Sequence, residues 1–96
     1  MPRGYWITWY HSAVEPAAHA RYADLAGKAI TALGGRVLAR GAPSATYEGG
    51  PGHRCVVIEF NSVADAIAAY ESSAYRTALA ALDSSVKREV RILEAQ

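Results

Sequence analysis

The chain opens with a run of bulky residues that predicts a β-strand. Residues Tyr5–Tyr10 read YWITWY, in which every side chain is aromatic or β-branched, and strands favour both types. Because successive strand residues point to opposite faces, this strand presents bulky groups on both sides. We therefore expect a central strand whose two faces are both covered.

A helical pattern follows the first strand and ends at a pair of glycines. Glu15–Pro16 marks its start, since proline is tolerated in a first helical turn, where its missing N–H is not needed. Gly34–Gly35 marks its end, because glycine adopts the left-handed cap without a Cβ penalty. Between them, apolar residues recur at spacings of three and four, which indicates one helical face. This face carries Ala18, Tyr22, Leu25, Ala26, Ala29 and Leu33.

Two further strands are predicted on either side of a glycine-rich turn. Arg36–Arg40 is the second strand, and Gly41–Pro43 indicates a bulge or kink at its end. We expect pairing to resume over Ala45–Glu48, before the turn at residues 49–52. Arg54–Phe60 is the third strand, with one wholly apolar face and one that ends in a carboxylate.

A second helical region and a last strand complete the pattern. Ser62, followed by Asp65 three residues later, resembles a capping box and opens a helix that Ser72–Ser73 interrupts. A further helical piece follows, and Val86–Glu94 is the final strand. The order β-α-β-β-α-β predicts the ferredoxin-like α+β fold, in which helices cover one face of a four-stranded antiparallel sheet.

That architecture leaves the other face of the sheet without helices. A solvated face would alternate apolar and polar residues, whereas the first strand does not alternate and the third is interrupted only by Glu59. The 96 residues suffice for one domain, residues 1–96, with no further helices to cover that face. A second copy of the sheet, packed face to face about a two-fold axis, would cover it. We therefore expect a homodimer.

Composition indicates a folded protein and argues against some classes of binding partner. Hydrophobic residues make up 51% and charged residues 20% of the chain, which is enough apolar material for a core. The 10 Lys and Arg against 9 Asp and Glu give a net charge of +1, which argues against a nucleic-acid-binding protein. No apolar run resembles a signal peptide or approaches the ~20 residues that span a bilayer. We therefore expect a cytoplasmic protein without a membrane partner.

Six fragments of the chain are each weak signals alone, but their order and spacing together are specific enough to suggest a family. They are Gly4–Ile7, Glu15–Tyr22, Gly34–Gly41, Glu48–Gly50, Val56–Phe60 and Glu71–Arg76. Together they resemble a small bacterial family of unknown function in the dimeric α+β barrel superfamily. The resemblance implies a dimeric barrel with a cleft between sheet and helices in each subunit. That superfamily includes cofactor-independent monooxygenases, lactone isomerases, haem-handling enzymes and ligand-sensing domains, so the resemblance implies no single reaction.

The chain departs from that family at a few positions. Glu15 stands where family members commonly have Asp, and His19 stands where they often have Tyr. Family members also have an acidic residue near the position of His11. If His19 or His11 lines the cleft, we expect this protein to prefer a different ligand from its relatives.

Arg40 and Glu59 are charged residues at strand positions where partial burial is expected. If their strand phases face the same side of the sheet, they would form an Arg–Glu pair across neighbouring strands. In the functional interpretation, Arg40 holds an anionic or carbonyl group of a ligand while Glu59 orients it or acts as a base. In the alternative, the two form a structural ion pair at the dimer interface. The hairpin register that decides between them is not determined by the sequence.

Aromatic residues and histidines provide the remaining candidates. Tyr22 and Tyr75 lie on apolar helix faces, either as core residues with bonded hydroxyls or with their hydroxyls in the cleft. Trp9 is either a packing residue or the wall of a ligand pocket. Among the histidines, His11 is the best acid–base candidate, because a strand end can open into a cleft. His19 is expected on the mainly polar face of its helix.

The chain carries no motif for a metal or a cofactor, and we expect neither. HxH, HExxH and Cys/His spacings do not occur, nor do a phosphate-binding glycine loop or a GxSxG elbow. Three functions stay open. The first is a cofactor-independent oxygenase- or isomerase-like enzyme for a small organic molecule, with His11 or Glu59 as base and Arg40 and the tyrosines as donors. The others are a non-catalytic small-molecule-binding or sensing domain and a purely structural homodimer.

Overall fold

Four strands form one antiparallel sheet in the computed structural model, which describes residues 2–50, 52–82 and 86–96. The strands are β1 (Gly4–Tyr10), β2 (Arg36–Gly41), β3 (Cys55–Phe60) and β4 (Arg88–Glu94). Their order across the sheet is β2-β3-β1-β4, and each neighbouring pair is antiparallel. This arrangement confirms the predicted ferredoxin-like α+β fold, with the bulky first strand at a central position.

The helices begin where the sequence predicted them to begin. They are α1 (Pro16–Ala32), α2 (Val63–Glu71) and α3 (Ser73–Ala81). The Glu15 carboxylate accepts hydrogen bonds from two main-chain N–H groups at the start of α1, and Ser62 accepts one from Asp65 N at 3.0 Å. Ser72 both ends α2 and caps α3. These side chains satisfy N–H groups that lack helical partners.

An aromatic core fills the space between the helices and the sheet. Trp6, Phe60 and Tyr75 are the largest side chains that are fully buried. The ring of Trp6 stacks on Phe60 at a centroid distance of 6.2 Å and meets the edge of Tyr75 at 4.9 Å. Alanines of all three helices pack against them, so that the helices approach the sheet closely. The core therefore lies on the β1 face that carries Trp6.

Gly4 allows β1 to pass directly beneath the start of α2. A Cβ at this position would lie 2.7 Å from the Ser62 carbonyl oxygen and 2.8 Å from Val63 Cα, both main-chain atoms. We expect Gly4→Ala to lower the free energy of unfolding by about 1–3 kcal/mol, because α2 must shift to make room. Urea denaturation measures the change. Gly27→Ala is the control, since nothing lies within 4 Å of its Cβ position, and equal destabilisation by both variants would contradict this packing.

The β2 strand contains an irregularity that changes which side chains share a face. The register shifts between Val37 and Ala39, whereas the sequence predicted the bulge at Gly41–Pro43. The shift pairs Arg36 with Glu59 and Arg40 with Val56, and thus places Arg36 and Arg40 on opposite faces of the sheet. The predicted resumption of pairing over residues 45–48 is also wrong, since no strand forms there.

The sheet face without helices, which we call the open face, retains large apolar side chains. Trp9 is 42% exposed and Leu93 is 53% exposed, and alternation along β1 and β4 places both on this face. Glu59 also lies there, and its carboxylate accepts hydrogen bonds from Tyr5, Arg3 and Arg36 at 2.9–3.2 Å. The open face is therefore apolar with its main charges already paired within the chain.

The described helices are all too short or too polar to cross a membrane. The cytoplasmic location expected from the sequence stays a prediction.

Candidate functional site

A cleft opens between α1 and the helix-covered face of the sheet. Its volume is about 70 Å³, and its floor is formed by buried side chains that include Trp6 and Ile58. Gly27 of α1 and Val37 and Arg40 of β2 line the cleft and are exposed. The mouth of the cleft therefore lies between α1 and β2.

Three tyrosine hydroxyls converge on one arginine at the inner end of the cleft. Arg88 donates hydrogen bonds to Tyr75 at 2.9 Å, to Tyr22 at 3.0 Å and to Tyr10 at 3.4 Å. The Tyr22 and Tyr75 hydroxyls also bond to each other at 2.7 Å. We call these four residues the tyrosine–arginine cluster. They bring a positive charge and several phenol groups to one point of the cleft.

The Arg88 guanidinium is held by rings as well as by hydroxyls. It lies 4.8 Å from the centroid of the Tyr22 ring and 5.6 Å from that of Tyr10, within the range of cation–π attraction. Burial raises the pKa of the Tyr75 hydroxyl well above its ordinary value, so that this phenol stays neutral at pH 7. The Tyr22–Tyr75 bond uses one of their two hydroxyl protons. When Tyr75 is the donor in that bond, the proton of Tyr22, which lines the cleft, is available to a ligand.

His19 lies beside this cluster, in the wall of the cleft. Its Nε2 atom is 3.2 Å from the Tyr10 hydroxyl. Burial lowers the pKa of His19, and the nearby positive charges of Arg54 and Arg88 lower it further. The imidazole is therefore neutral at pH 7 and can accept a proton, as a general base must.

We expect an NMR titration to give His19 a pKa below its ordinary value of 6.5. Arg54→Met should raise that pKa, because it removes a positive charge that disfavours the imidazolium. Any activity that needs the neutral imidazole falls as pH drops through this pKa. Arg36→Met, a change on the open face, is the control and should leave the titration unchanged. Identical His19 titrations in wild type and Arg54→Met would contradict this electrostatic description.

The lining of the cleft is rich in arginine and contains no carboxylate. Arg40, Arg54 and Arg88 line it, and no Asp or Glu does so among the described residues. On the open face, in contrast, Arg36 pairs with Glu59 and Arg91 with Glu89. The cleft is therefore a positively charged, partly apolar space that suits a small organic anion.

Half of the residues proposed from the sequence lie at this cleft. Tyr22 and Arg40 line it, and Tyr75 lies behind the lining with its hydroxyl in the cluster. Trp9 points to the open face, because it alternates along β1 with Tyr10, which lines the cleft. Trp9 therefore does not line this cleft. Together with His11 it lines a separate depression beside residues 43–50, and a ligand-binding role for Trp9 stays a prediction.

The two proposed bases lie away from the cleft. His11 is exposed and contacts the Glu89 carboxylate at 3.1 Å. Glu59 is on the open face, where the Tyr5 hydroxyl and Arg36 lower the pKa of its carboxyl group, which weakens it as a base. The Arg40–Glu59 pair that the sequence left open does not form, because Glu59 lies opposite Arg36, whereas Arg40 lies opposite Val56 and on the other face of the sheet. His11 and Glu59 therefore cannot act on a ligand in this cleft.

Four cleft residues were not among the site residues proposed from the sequence, and two of them leave a signal in the strand pattern. Arg54 shares its phase with the apolar Val56 and Ile58, and Arg88 shares its phase with Val90 and Ile92. A charged residue in line with a wholly apolar strand face is a candidate for a buried polar site. Tyr10 carries no such signal. His19 was noted only as a departure from the family pattern that would alter the choice of ligand if it lined the cleft, and it does line the cleft.

The described residues contain no group of three or more His, Cys, Asp and Glu side chains that could hold a metal ion.

Comparison with known proteins identifies the family of the chain. The family described as "Domain of unknown function (DUF1330)" matches residues 3–96. The chain belongs to this family. No curated protein matches the chain in sequence, and the description of the family assigns no activity.

Solved structures of similar fold agree with the architecture. A protein of unknown function from Rhodopseudomonas palustris has a TM-score of 0.74 at 17% identity, covering 99% of this chain and 83% of its own. A candidate antibiotic biosynthesis monooxygenase from Caulobacter crescentus has a TM-score of 0.56 at 16% identity, covering 98% and 89%. A Thermobifida fusca protein described as dimeric and ferredoxin-like has a TM-score of 0.52 at 16% identity, covering 97% and 91%. At these identities the likeness establishes the fold alone.

Proposed function

We propose that the protein is an isomerase-like enzyme that removes a proton from the carbon next to a carbonyl group of a small organic acid. The observation that carries this proposal is that a neutral histidine and an arginine-bound group of phenols face the same cleft. Removal of such a proton needs a base and a group that stabilises the enolate oxygen. His19 supplies the first, and the tyrosine–arginine cluster supplies the second.

The positions of these groups assign each of them a separate role in the reaction. Arg88 and the Tyr22 hydroxyl, when Tyr75 donates the bond between the two phenols, provide donors for a developing enolate oxygen. His19 accepts the proton and can return it to another atom, which completes an isomerisation without a further reactant. The arginines of the lining attract the anionic substrate. The fold likeness to a candidate monooxygenase makes oxygenation of the same enolate the second reaction to test.

Proton exchange in D₂O tests this proposal without knowledge of the natural substrate. We expect the protein to accelerate exchange at C3 of 2-oxopentanoate, followed by NMR, and His19→Phe to slow it by about 100-fold, the loss typical of a general base. His11→Phe is the matched control, because His11 is exposed and bonded to Glu89 outside the cleft. Equal exchange in wild type and His19→Phe would contradict the proposal.

A binding or sensing domain is the second candidate function. It is favoured by the contact of His19 Nε2 with the Tyr10 hydroxyl at 3.2 Å, which engages one of the two ring nitrogens before any ligand enters. Such a domain would bind 2-oxopentanoate in calorimetry and leave its C3 protons unexchanged. Binding with His19-dependent exchange would instead support the enzyme.

We also propose that two copies of the chain associate through their open faces. Trp9 and Leu93 are 42% and 53% exposed, which leaves an apolar surface on this face for a partner to cover. The charges on this face are paired within one chain, so that its burial leaves few of them unsatisfied. The similar Thermobifida fusca protein is described as dimeric, which supports the same assembly here.

A further inference from the structure

We propose that Arg54 and Arg40 form a second anion-binding position near the mouth of the cleft, so that its ligand carries an anionic group at each end. The inference rests on the proposed function, because it places the first anionic or carbonyl group at the tyrosine–arginine cluster. It goes beyond that function by restricting the substrate to small dianions, of which dicarboxylates are the simplest class.

Arg54 carries a hydrogen-bond donor without a partner. It directly precedes β3, and its side chain lines the cleft together with Tyr10 and His19. Its Nε atom is buried and has no hydrogen-bond partner in the part of the chain that the structure describes. A buried donor without a partner is rare and unfavourable in proteins. A rotation of the Arg54 side chain would present this donor to a carboxylate oxygen of a ligand in the cleft, which would satisfy it.

Arg54 and Arg88 lie on opposite sides of Tyr10. The Tyr10 main-chain N–H donates to the Arg54 carbonyl oxygen at 2.9 Å, and Tyr10 pairs with Arg88 on the neighbouring strand. Two strand spacings separate the Cα atoms of the two arginines by about 10 Å. Both side chains line the same cleft, so that a short ligand above Tyr10 can reach both guanidinium groups.

Arg40 extends this second position toward solvent. It pairs with Val56 on β3, lines the cleft and is exposed. No ion pair involves Arg40 or Arg54 among the described residues. A guanidinium group binds a carboxylate through two parallel hydrogen bonds, and an exposed charge at the mouth attracts anions from solution.

The inner arginine differs from these two because it is already bonded. Arg88 donates to three phenol hydroxyls, which fixes its guanidinium for contact with one ligand oxygen or carboxylate. Arg54 and Arg40 remain to neutralise a second charge. A ligand with one anionic end would leave the buried Arg54 Nε atom without an acceptor, which predicts weaker binding.

Two five-carbon acids that differ only at one end test the inference. In 2-oxoglutarate, the terminal methyl group of 2-oxopentanoate is replaced by a carboxylate. In titration calorimetry we expect the wild-type protein to bind 2-oxoglutarate at least about tenfold more tightly than 2-oxopentanoate. This is the gain in affinity typical of one additional charge-assisted hydrogen bond. Arg54→Met should reduce this preference to near unity, because the loss of Arg54 weakens binding of 2-oxoglutarate more than binding of 2-oxopentanoate. Arg36→Met, on the open face, should leave the preference intact.

The outcomes separate this inference from the proposed function. A wild-type preference that Arg54→Met removes supports the inference, and a smaller loss in Arg40→Met supports it independently if Arg54→Met does not fold. Equal affinities for the two acids in the wild type, or a preference that neither variant reduces, would overturn it. In both of those cases His19-dependent exchange of 2-oxopentanoate would still support the proposed function. Binding of neither acid would overturn the inference and leave the exchange experiment to decide the function.

Discussion

Arg88→Met should abolish catalysed proton exchange and anion binding while the chain still folds. The guanidinium donates to three hydroxyls at the inner end of the cleft, and methionine keeps the apolar length of the side chain without any donor. Loss of such a preorganised donor costs about 100-fold or more in rate. The free energy of unfolding should fall by about 1–3 kcal/mol, since the Tyr22 and Tyr75 hydroxyls can still bond to each other.

The effect of Arg88 should depend on its shape as well as its charge. Arg88→Lys keeps the charge but lacks the planar fork that reaches two hydroxyls at once, so we expect it to recover only part of the exchange rate. Arg91→Met is the matched control, because Arg91 lies three residues along β4 and on the open face. Exchange rates by NMR and urea unfolding midpoints measure the two effects. Full exchange in Arg88→Met would contradict the site.

Trp9→Asp should convert a dimer into a folded monomer. Trp9 lies on the open face of an inner strand of the sheet, β1, and it is 42% exposed in one chain. Burial of a carboxylate in an apolar interface is strongly unfavourable without a partner charge. Because the side chain points away from the helices and their core, the fold of each chain should persist.

A matched substitution on another surface distinguishes a specific dimer interface from non-specific association through exposed apolar side chains. Ile67 is 43% exposed and belongs to α2, on the helix-covered side of the sheet, so Ile67→Asp should leave the dimer intact. Sedimentation equilibrium at micromolar concentration gives the mass of each variant. A monomeric wild type, or a dimer that persists in Trp9→Asp, would contradict the assembly through the open face.

The fold could be predicted from the sequence because its elements carry strong local signals. Glu15–Pro16, Ser62 and Ser72–Ser73 mark helix ends, and the bulky residues of β1 indicate a strand covered on both faces. The register within β2 could not be predicted. A register shift of one residue moves every later side chain of the strand to the opposite face of the sheet. No glycine or proline near Leu38 indicates the shift that occurs there.

The candidate site was predicted less well, for a reason visible in α1. The predicted apolar face included Leu25 and Leu33, which are 37% and 41% exposed. The buried stripe instead includes Ile30, so the helix is rotated toward His19 relative to that prediction. Helical periodicity predicts the limits of the buried face only to within about one residue. That precision does not decide whether a histidine at the edge of the face, such as His19, lies in the cleft.

The central claim is that an organic anion binds among the arginines of the helix-covered cleft. The most direct test follows the side-chain Nε–H resonances of arginine by NMR while 2-oxoglutarate is added to the labelled protein. We predict that the signals of Arg88 and Arg54 shift and saturate together, while those of Arg36 and Arg91 on the open face stay unchanged. Shifts confined to the open-face arginines, or no saturable shift at Arg88, would contradict the claim.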